Sequence, residues 1–432
     1  MIMAMMKSSN TEWLGDIPAE WDIAQIDNYY ELRNEKVSDY DFEPLSVTMK
    51  GIVPQLATAA KSNDHSNRKL VKKGDFVINS RSDRRGSCGI SPLDGSVSLI
   101  NLVMEPRGEM NPQYYNWLFH TEQFADEFYK WGHGIVDDLW TTRWREMKKI
   151  LIVAPSPNEQ QAIADYLDET CSKIDEIIGE AKASIDEYKE LKQSVITEAV
   201  LHGFEEKSVK HSSIEWIGDY NAEFGMTRIG RFCFVTKLAG FEYTNAMADS
   251  IANEFGVPIV RAQNVKMFKF YSDKIGEFIP KDISFQLNRS SLNKKCLLIT
   301  FIGAGIGDVC VFDEKERYHL APNVAKIEIF DEYKCLLDEH YLMYYLGSEA
   351  GQGEIRRISK ASAQPSLSME TIRSINVVLP PFDVQEQIVE YLNKKMLHMD
   401  SLIAEKESLI NDLEAYKKSL IYEVVTGKRR VV

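Results

Sequence analysis

The chain repeats itself. Glu12-Trp13-Leu14-Gly15-Asp16 returns as Glu215-Trp216-Ile217-Gly218-Asp219, and Trp21 and Ile26 fall opposite Phe224 and Ile229 at the same offset. A second repeat closes each half. Val153-Ala154-Pro155 matches Val378-Leu379-Pro380, and beyond it Gln160, Ile163, Tyr166, Leu167, Asp175, Ile185, Ser194 and Glu198 recur as Gln385, Ile388, Tyr391, Leu392, Asp400, Ile410, Ser419 and Glu423. Solenoid units are only about 20–45 residues long, so this period is a duplicated module rather than a stack. Each copy is a globular segment followed by a helix, and the segment interiors diverge far more than the ends. That pattern describes one frame carrying two different surfaces.

The helical parts have a clear period. Leu167, Cys171, Ile174, Ile178, Ala181, Ile185, Tyr188, Val195 and Ala199 follow alternating spacings of four and three, and Leu392, Met396, Met399, Ile403, Ile410, Leu413, Leu420 and Val424 occupy the matching positions. A period of 3.5 is a coiled-coil seam. Each stripe covers about 40 residues, or roughly 60 Å of helix. A helix of this kind needs a partner in water. The simplest partner is its own repeat, paired antiparallel, with packing of each helix on its own domain as the alternative. Pro155, Pro157, Pro380 and Pro381 mark the helix starts, and Gly203 and Gly427 mark the ends.

The globular halves read as mixed. Apolar runs at 76–78, 97–100, 150–153, 258–260, 297–299 and 309–312 suggest strands, and 112–129 and 338–348 suggest helices. The resulting expectation is an α+β chain: two similar globular domains at 1–155 and 206–380, joined by two long helices at 156–205 and 381–432 that pair as an antiparallel coiled coil with pseudo-two-fold symmetry.

Charge and cysteine usage limit the function. More than half of the excess acid in a chain of net charge −14 lies on 156–205, leaving the two globular halves closer to neutral. Nucleic-acid binding needs local positive potential rather than a basic chain. The six cysteines form no C-x-x-C pair, which points to reduced thiols in the cytoplasm and to no zinc knuckle or disulfide framework. No apolar run is long enough to span a membrane.

Catalytic signatures are weak. Leu379-Pro380-Pro381-Phe382 has the Pro-Pro-aromatic core of amino-methyltransferases, but Leu379 stands where a side-chain oxygen must accept from the target amine. Gly303-Ala304-Gly305-Ile306-Gly307-Asp308 has Asp where a dinucleotide fingerprint needs its third glycine, and a strand-like run rather than a helix follows. It reads as a glycine-rich hairpin that can approach a ligand closely. No phosphate-loop or zinc-helix pattern is present, so no metal ligands are assigned.

The polar clusters are basic. In the first half they comprise Lys61, Arg68, Lys69, Asn79, Arg81, Arg84 and Arg85, then Thr141, Thr142, Arg143 and Arg145. In the second they comprise Arg261, Gln263, Asn264 and Lys266, then Arg356, Arg357, Lys360 and Gln364. Arginine suits guanine edges, Asn and Gln suit adenine edges, and lysine positions against phosphate. Any one cluster could be a solvated face alone. Four together mark candidate DNA contacts.

These features together resemble the specificity subunit of a type I restriction–modification system. The resemblance rests on the Glu12–Trp21 opening, the second Glu-Trp-Ile-Gly-Asp opening at 215, the Pro-Pro-x-x-x-Gln-x-x-Ile run at 380–388, and the segments 74–81 and 363–368. The second opening departs from the first at Tyr220-Asn221-Ala222-Glu223-Phe224, and Asp137 and Asp138 stand where the second half has Pro365 and Ser366. The resemblance implies two target-recognition domains, each binding half of a split site in double-stranded DNA. It implies spacer helices that dock two modification subunits, which methylate adenine N6 using S-adenosylmethionine. It also implies a restriction subunit able to join, and no cofactor or catalysis in this chain. The rival readings are a self-contained DNA methyltransferase or nuclease, and a coiled-coil scaffold that never touches DNA.

Overall fold

The computed structural model describes residues 5–58, 65–134, 140–204, 208–359 and 366–431. The chain forms two compact units, one of residues 1–182 with 406–432 and the other of residues 183–405. Each unit therefore holds one sheet-bearing domain and a stretch of both long helices, Pro157–His202 and Phe382–Val425.

In the first unit, Phe76–Asn79 is buried throughout and lies between Cys88–Ile90 and Asn101–Pro106, with Tyr30–Leu32 completing an antiparallel sheet. Its unbroken apolar run suits a strand covered on both faces. A second sheet orders Gly95–Ser98, Arg68–Val71 and Lys36–Val37. The helices Pro112–Phe119 and Glu122–Lys130 close the core with Tyr115, Phe119, Phe124 and Phe128, packed against Tyr30 and Phe76. The sequence suggested a single helix over 112–129. The chain instead breaks at His120, because the Thr121 hydroxyl accepts from Phe124 N and starts a new helix. Of the strand expected over 97–100, Val97 and Ser98 end the strand Gly95–Ser98, and Leu99 and Ile100 form the turn into Asn101–Pro106.

The second unit is built to the same plan. Cys296–Thr300 lies between Val309–Phe312 and Val324–Ile329, with Cys233–Lys237 beyond, in the same strand order and with the same antiparallel pairing. The second sheet runs Phe278–Ile279, Val257–Val260, Tyr318–Leu320, Ser291–Leu292, and includes one parallel pair, Ile259 with His319 and Val260 with Leu320. The first unit has its counterpart in the parallel bridge Pro44–Ser96. Glu339–Gly347 and Glu349–Ser359 are the paired helices, the first capped by the Asp338 side chain. In each unit a two-stranded ribbon leads to a long helix: Asp22–Gln25 with Leu151–Ala154, and Gly225–Arg228 with Asn376–Leu379.

The long helices bury the stripe their spacing demands. Leu167, Ile174, Ile178, Ile185, Leu392, Met399, Ile410 and Leu420 are buried, while Tyr188, Val195, Ile403 and Leu413 are half-buried. In the first unit Lys417 Nζ meets Asp175 at 2.6 Å and Lys182 meets Glu414 at 3.8 Å, so the two helices run antiparallel there. In the second unit Lys192 pairs with Asp400.

Repeated residues make repeated bonds. Gln160 is buried, donates to Pro155 O at 2.8 Å and accepts from Asn111 N at 2.8 Å. Gln385 donates to Pro380 O at 2.9 Å and accepts from Asp338 N at 3.0 Å. Tyr114 Oη donates to Val425 O at 2.8 Å in the first unit, and Tyr341 Oη to Val200 O at 3.2 Å in the second. Each domain therefore grips the start of one long helix and the end of the other. Gly203 and Gly427 follow the helix ends at φ +72° and +73°, where glycine is unstrained.

Candidate nucleic-acid interface

Both domains lay a β-hairpin over the strand that follows a turn between two central strands. In the first, Leu45–Thr48 and Gly51–Pro54 form the hairpin, and Met49 and Lys50 form its tip. The tip is drawn tight by Thr48 Oγ1, which donates to Gly51 O at 2.8 Å and accepts from Lys50 N at 3.1 Å. A Cβ on Gly89 would stand 2.9 Å from Gly51 Cα, so glycine there lets the hairpin lie against Cys88–Ile90. A cavity of about 610 Å³ opens beside it, lined by Ser46, Thr48, Asn79, Arg84, Arg85 and Ser87 among others.

The basic residues expected at a DNA surface divide into two groups. Arg84 and Arg85 are 68 % and 55 % exposed on the turn between Phe76–Asn79 and Cys88–Ile90, with Asp83 3.7 Å from Arg84 and Asp126 paired to Arg85. Arg81 is half-buried and bridged through its backbone to Thr141. Arg143 and Arg145 are exposed, and Arg145 is paired with Glu146. Arg68, Lys69 and Thr142 are instead internal. Arg68 Nε donates to Ser96 Oγ at 2.8 Å, Lys69 Nζ to Asn101 O at 2.7 Å, and Thr142 Oγ1 to Phe128 O at 2.8 Å. Burial pulls the Arg68 and Lys69 pKa values below their ordinary range. These groups satisfy carbonyls and a hydroxyl that burial would otherwise leave unpaired, and are removed from the contact set. Asn79 is also buried, its Oδ1 accepting from Arg81 N at 3.0 Å, but it borders the cavity. Lys61 lies outside the described residues.

In the second domain Val265–Lys266 and Lys269–Phe270 form the hairpin. Its tip residue Phe268 has φ +65°, an uncommon state for a bulky side chain. It is held by a hydrogen bond from its N–H to Val309 O at 2.8 Å and by packing on Tyr344. Beneath lies the glycine-rich turn. A Cβ on Gly303 would meet nothing within 4 Å, whereas one on Gly305 would stand 2.8 Å from Asp308 and one on Gly307 3.1 Å from Gln352 and Ile355, so the turn is open at its start only. Lys266 is exposed, 3.5 Å from Asp308. Arg261 is partly buried and donates to Glu277 at 2.7 Å; burial lowers its pKa, but hydrogen bonds to Glu277 and Tyr243 outweigh that and hold it raised. Asn264 is buried, bonding Arg261 N and Tyr271 O, and so is spent on the turn rather than free to read a base. Gln263 donates to Lys274 O at 3.3 Å. Arg356 and Arg357 sit exposed at the end of Glu349–Ser359, paired with Glu349 and Glu354. Lys360 and Gln364 lie outside the described residues.

Sequence reasoning passed over Lys50 at the first hairpin tip, and Lys269, Tyr271 and Lys274 along and just after the returning strand of the second hairpin. Lys269 and Lys274 stand 4.8 and 4.1 Å from the Tyr271 ring. The alternation of lysine and aromatic residues over 266–274 was the available signal.

The family described as the type I restriction modification DNA specificity domain matches residues 247–412. The chain is 23 % identical to the MjaVIII type I restriction enzyme specificity subunit of Methanocaldococcus jannaschii, over 100 % of this chain and 98 % of that one. Residues 247–412 match the type I specificity domain, and the whole chain is similar to a type I restriction enzyme specificity subunit. A further relative, the EcoBI specificity subunit of Escherichia coli, is 22 % identical over 66 % of this chain and 59 % of its own length. The fold matches a chain from a study of the assembly and conformational transition of the type I R-M system, with a TM-score of 0.73 at 13 % identity over 96 % of this chain and 99 % of that one. It also matches the HsdS subunit from Thermoanaerobacter tengcongensis, with a TM-score of 0.54 at 14 % identity over 98 % and 100 % of the two chains. Among the described residues no helix is long and apolar enough to cross a membrane.

Proposed function

We propose that this chain is a specificity subunit that binds double-stranded DNA at a split site, each domain reading its own half through the hairpin and turn. It is the non-catalytic recognition component of its complex. It holds two modification subunits on the DNA, and those partners methylate adenine N6 with S-adenosylmethionine. Restriction subunits join the same assembly. The paired helices set the gap between half-sites, and the complex works in the cytoplasm. The observation that carries this reading is a frame built twice with unlike polar groups at the same place: Arg84 and Arg85 in one domain, Lys266 and a glycine-rich turn in the other. Recognition subunits with one job per domain require that arrangement, and a scaffold does not.

The test is a gel-shift of the chain assembled with its modification subunit on duplexes carrying the methylated motif. Retention of the motif over scrambled duplexes at 150 mM salt is the expected result. Binding that ignores sequence, or no binding, contradicts the proposal.

A further inference from the structure

The turn after Phe76–Asn79 carries two arginines where its counterpart in the other domain carries glycines. It projects two adjacent guanidinium groups, 68 % and 55 % exposed, beside a cavity of about 610 Å³. Asn79 and Ser87 contribute to the same cavity wall, and hairpin residues Ser46 and Thr48 face them. The turn is firmly held: Asn79 N–H donates to Ser87 O at 2.9 Å, Ser87 N–H to Arg84 O at 3.0 Å, and Tyr129 Oη to Asn79 O at 3.2 Å. Asp126, on the helix Glu122–Lys130, pairs with Arg85 and orients it. A fork-shaped donor on a rigid base suits the O6 and N7 acceptors of guanine in the major groove, and beside a cavity lined by Asn79, Ser46 and Thr48 it is set to meet a base edge as well as a phosphate.

We infer that Arg84 and Arg85 are specificity-determining residues that read a G·C pair in the half-site of the first domain, whereas the matching turn at 301–308 makes its approach through backbone and neighbouring lysines. The inference rests on the proposed DNA recognition. Its test must separate base reading from phosphate binding, and lysine does so: it keeps the charge and loses the two-pronged geometry.

The complete complex with its modification subunit is offered a duplex library randomised across both half-sites, and the bound fraction is sequenced. Wild type, Arg84→Lys, Arg85→Lys and the double variant are compared, with thermal melting to confirm folding. The expected result is that the lysine variants keep overall binding within a few-fold. Discrimination for guanine at one or two adjacent positions falls on the order of ten- to a hundred-fold, and the other half-site is untouched. Unchanged discrimination in folded lysine variants overturns the inference, as does uniform weakening across all sequences, which marks phosphate contacts. If wild type selects no split motif at all, the proposed function itself fails, an outcome distinct from either.

Discussion

Gln160 in the first unit and Gln385 in the second bond the same pair of backbone groups, yet the turns at 80–87 and 301–308, in matching places, share almost no chemistry. The difference separates what the duplication preserves from what it frees. Buried polar groups that join a ribbon to a helix have few acceptable replacements, because each lost partner strands a donor or acceptor away from water. A solvent-facing turn on a closed sheet carries no such penalty. It can become arginine-rich in one domain and glycine-rich in the other.

The sharpest break in the comparison should come at the helix-end glycines. A Cβ on Gly427 would stand 2.5 Å from Pro18 and 2.9 Å from Trp21, whereas one on Gly203 would stand 3.1 Å from Phe224. Both pay the left-handed backbone cost, but only Gly427 adds severe crowding. Gly427→Ala should cost about 3 kcal/mol and Gly203→Ala about 1 kcal/mol, read by urea denaturation. Equal losses would mean that the two ends are packed alike. Next are the paired glutamines. Gln160→Leu and Gln385→Leu should each lose about 2–3 kcal/mol, since the first strands one N–H and one carbonyl and the second one N–H and the carbonyls of Pro380 and Leu336. A large loss at one and none at the other would break the equivalence. Tyr114→Phe should cost about 1–2 kcal/mol. Tyr341→Phe should cost at least as much, because Tyr341 Oη also lies 2.7 Å from Val378 O. The smallest effect belongs to exposed pairs such as Lys182–Glu414, where Lys182→Ala should shift stability by no more than about 0.5 kcal/mol.

Much of the frame was legible. Over 167–185 and 392–420 the buried residues of the long helices fall on the stripe that the spacing marked, whereas Ile196 and Val200, buried in the core of the second unit, lie off it. Gly203 and Gly427 announced the helix ends because only glycine takes that backbone state without strain. The surface was harder to read. Arg68 and Lys69 have the same composition signal as Arg84 and Arg85. Whether a cation reaches solvent or a carbonyl across the sheet depends on strand pairing that one sequence does not display. The packing also divides each long helix between the two units, where linear order had set the helices apart as segments of their own. Nothing in the local sequence records that the end of one helix docks on the domain that starts the other.

The account stands or falls on two unlike readers carried by one frame. The direct measurement is a map of methylated adenines in DNA from cells making the modification partner with wild type, with Arg84→Ala/Arg85→Ala, or with Lys266→Ala/Lys269→Ala. The account predicts a split motif in which the first variant relaxes one half and the second relaxes the other. A single unbroken motif, or both variants relaxing the same bases, would contradict it.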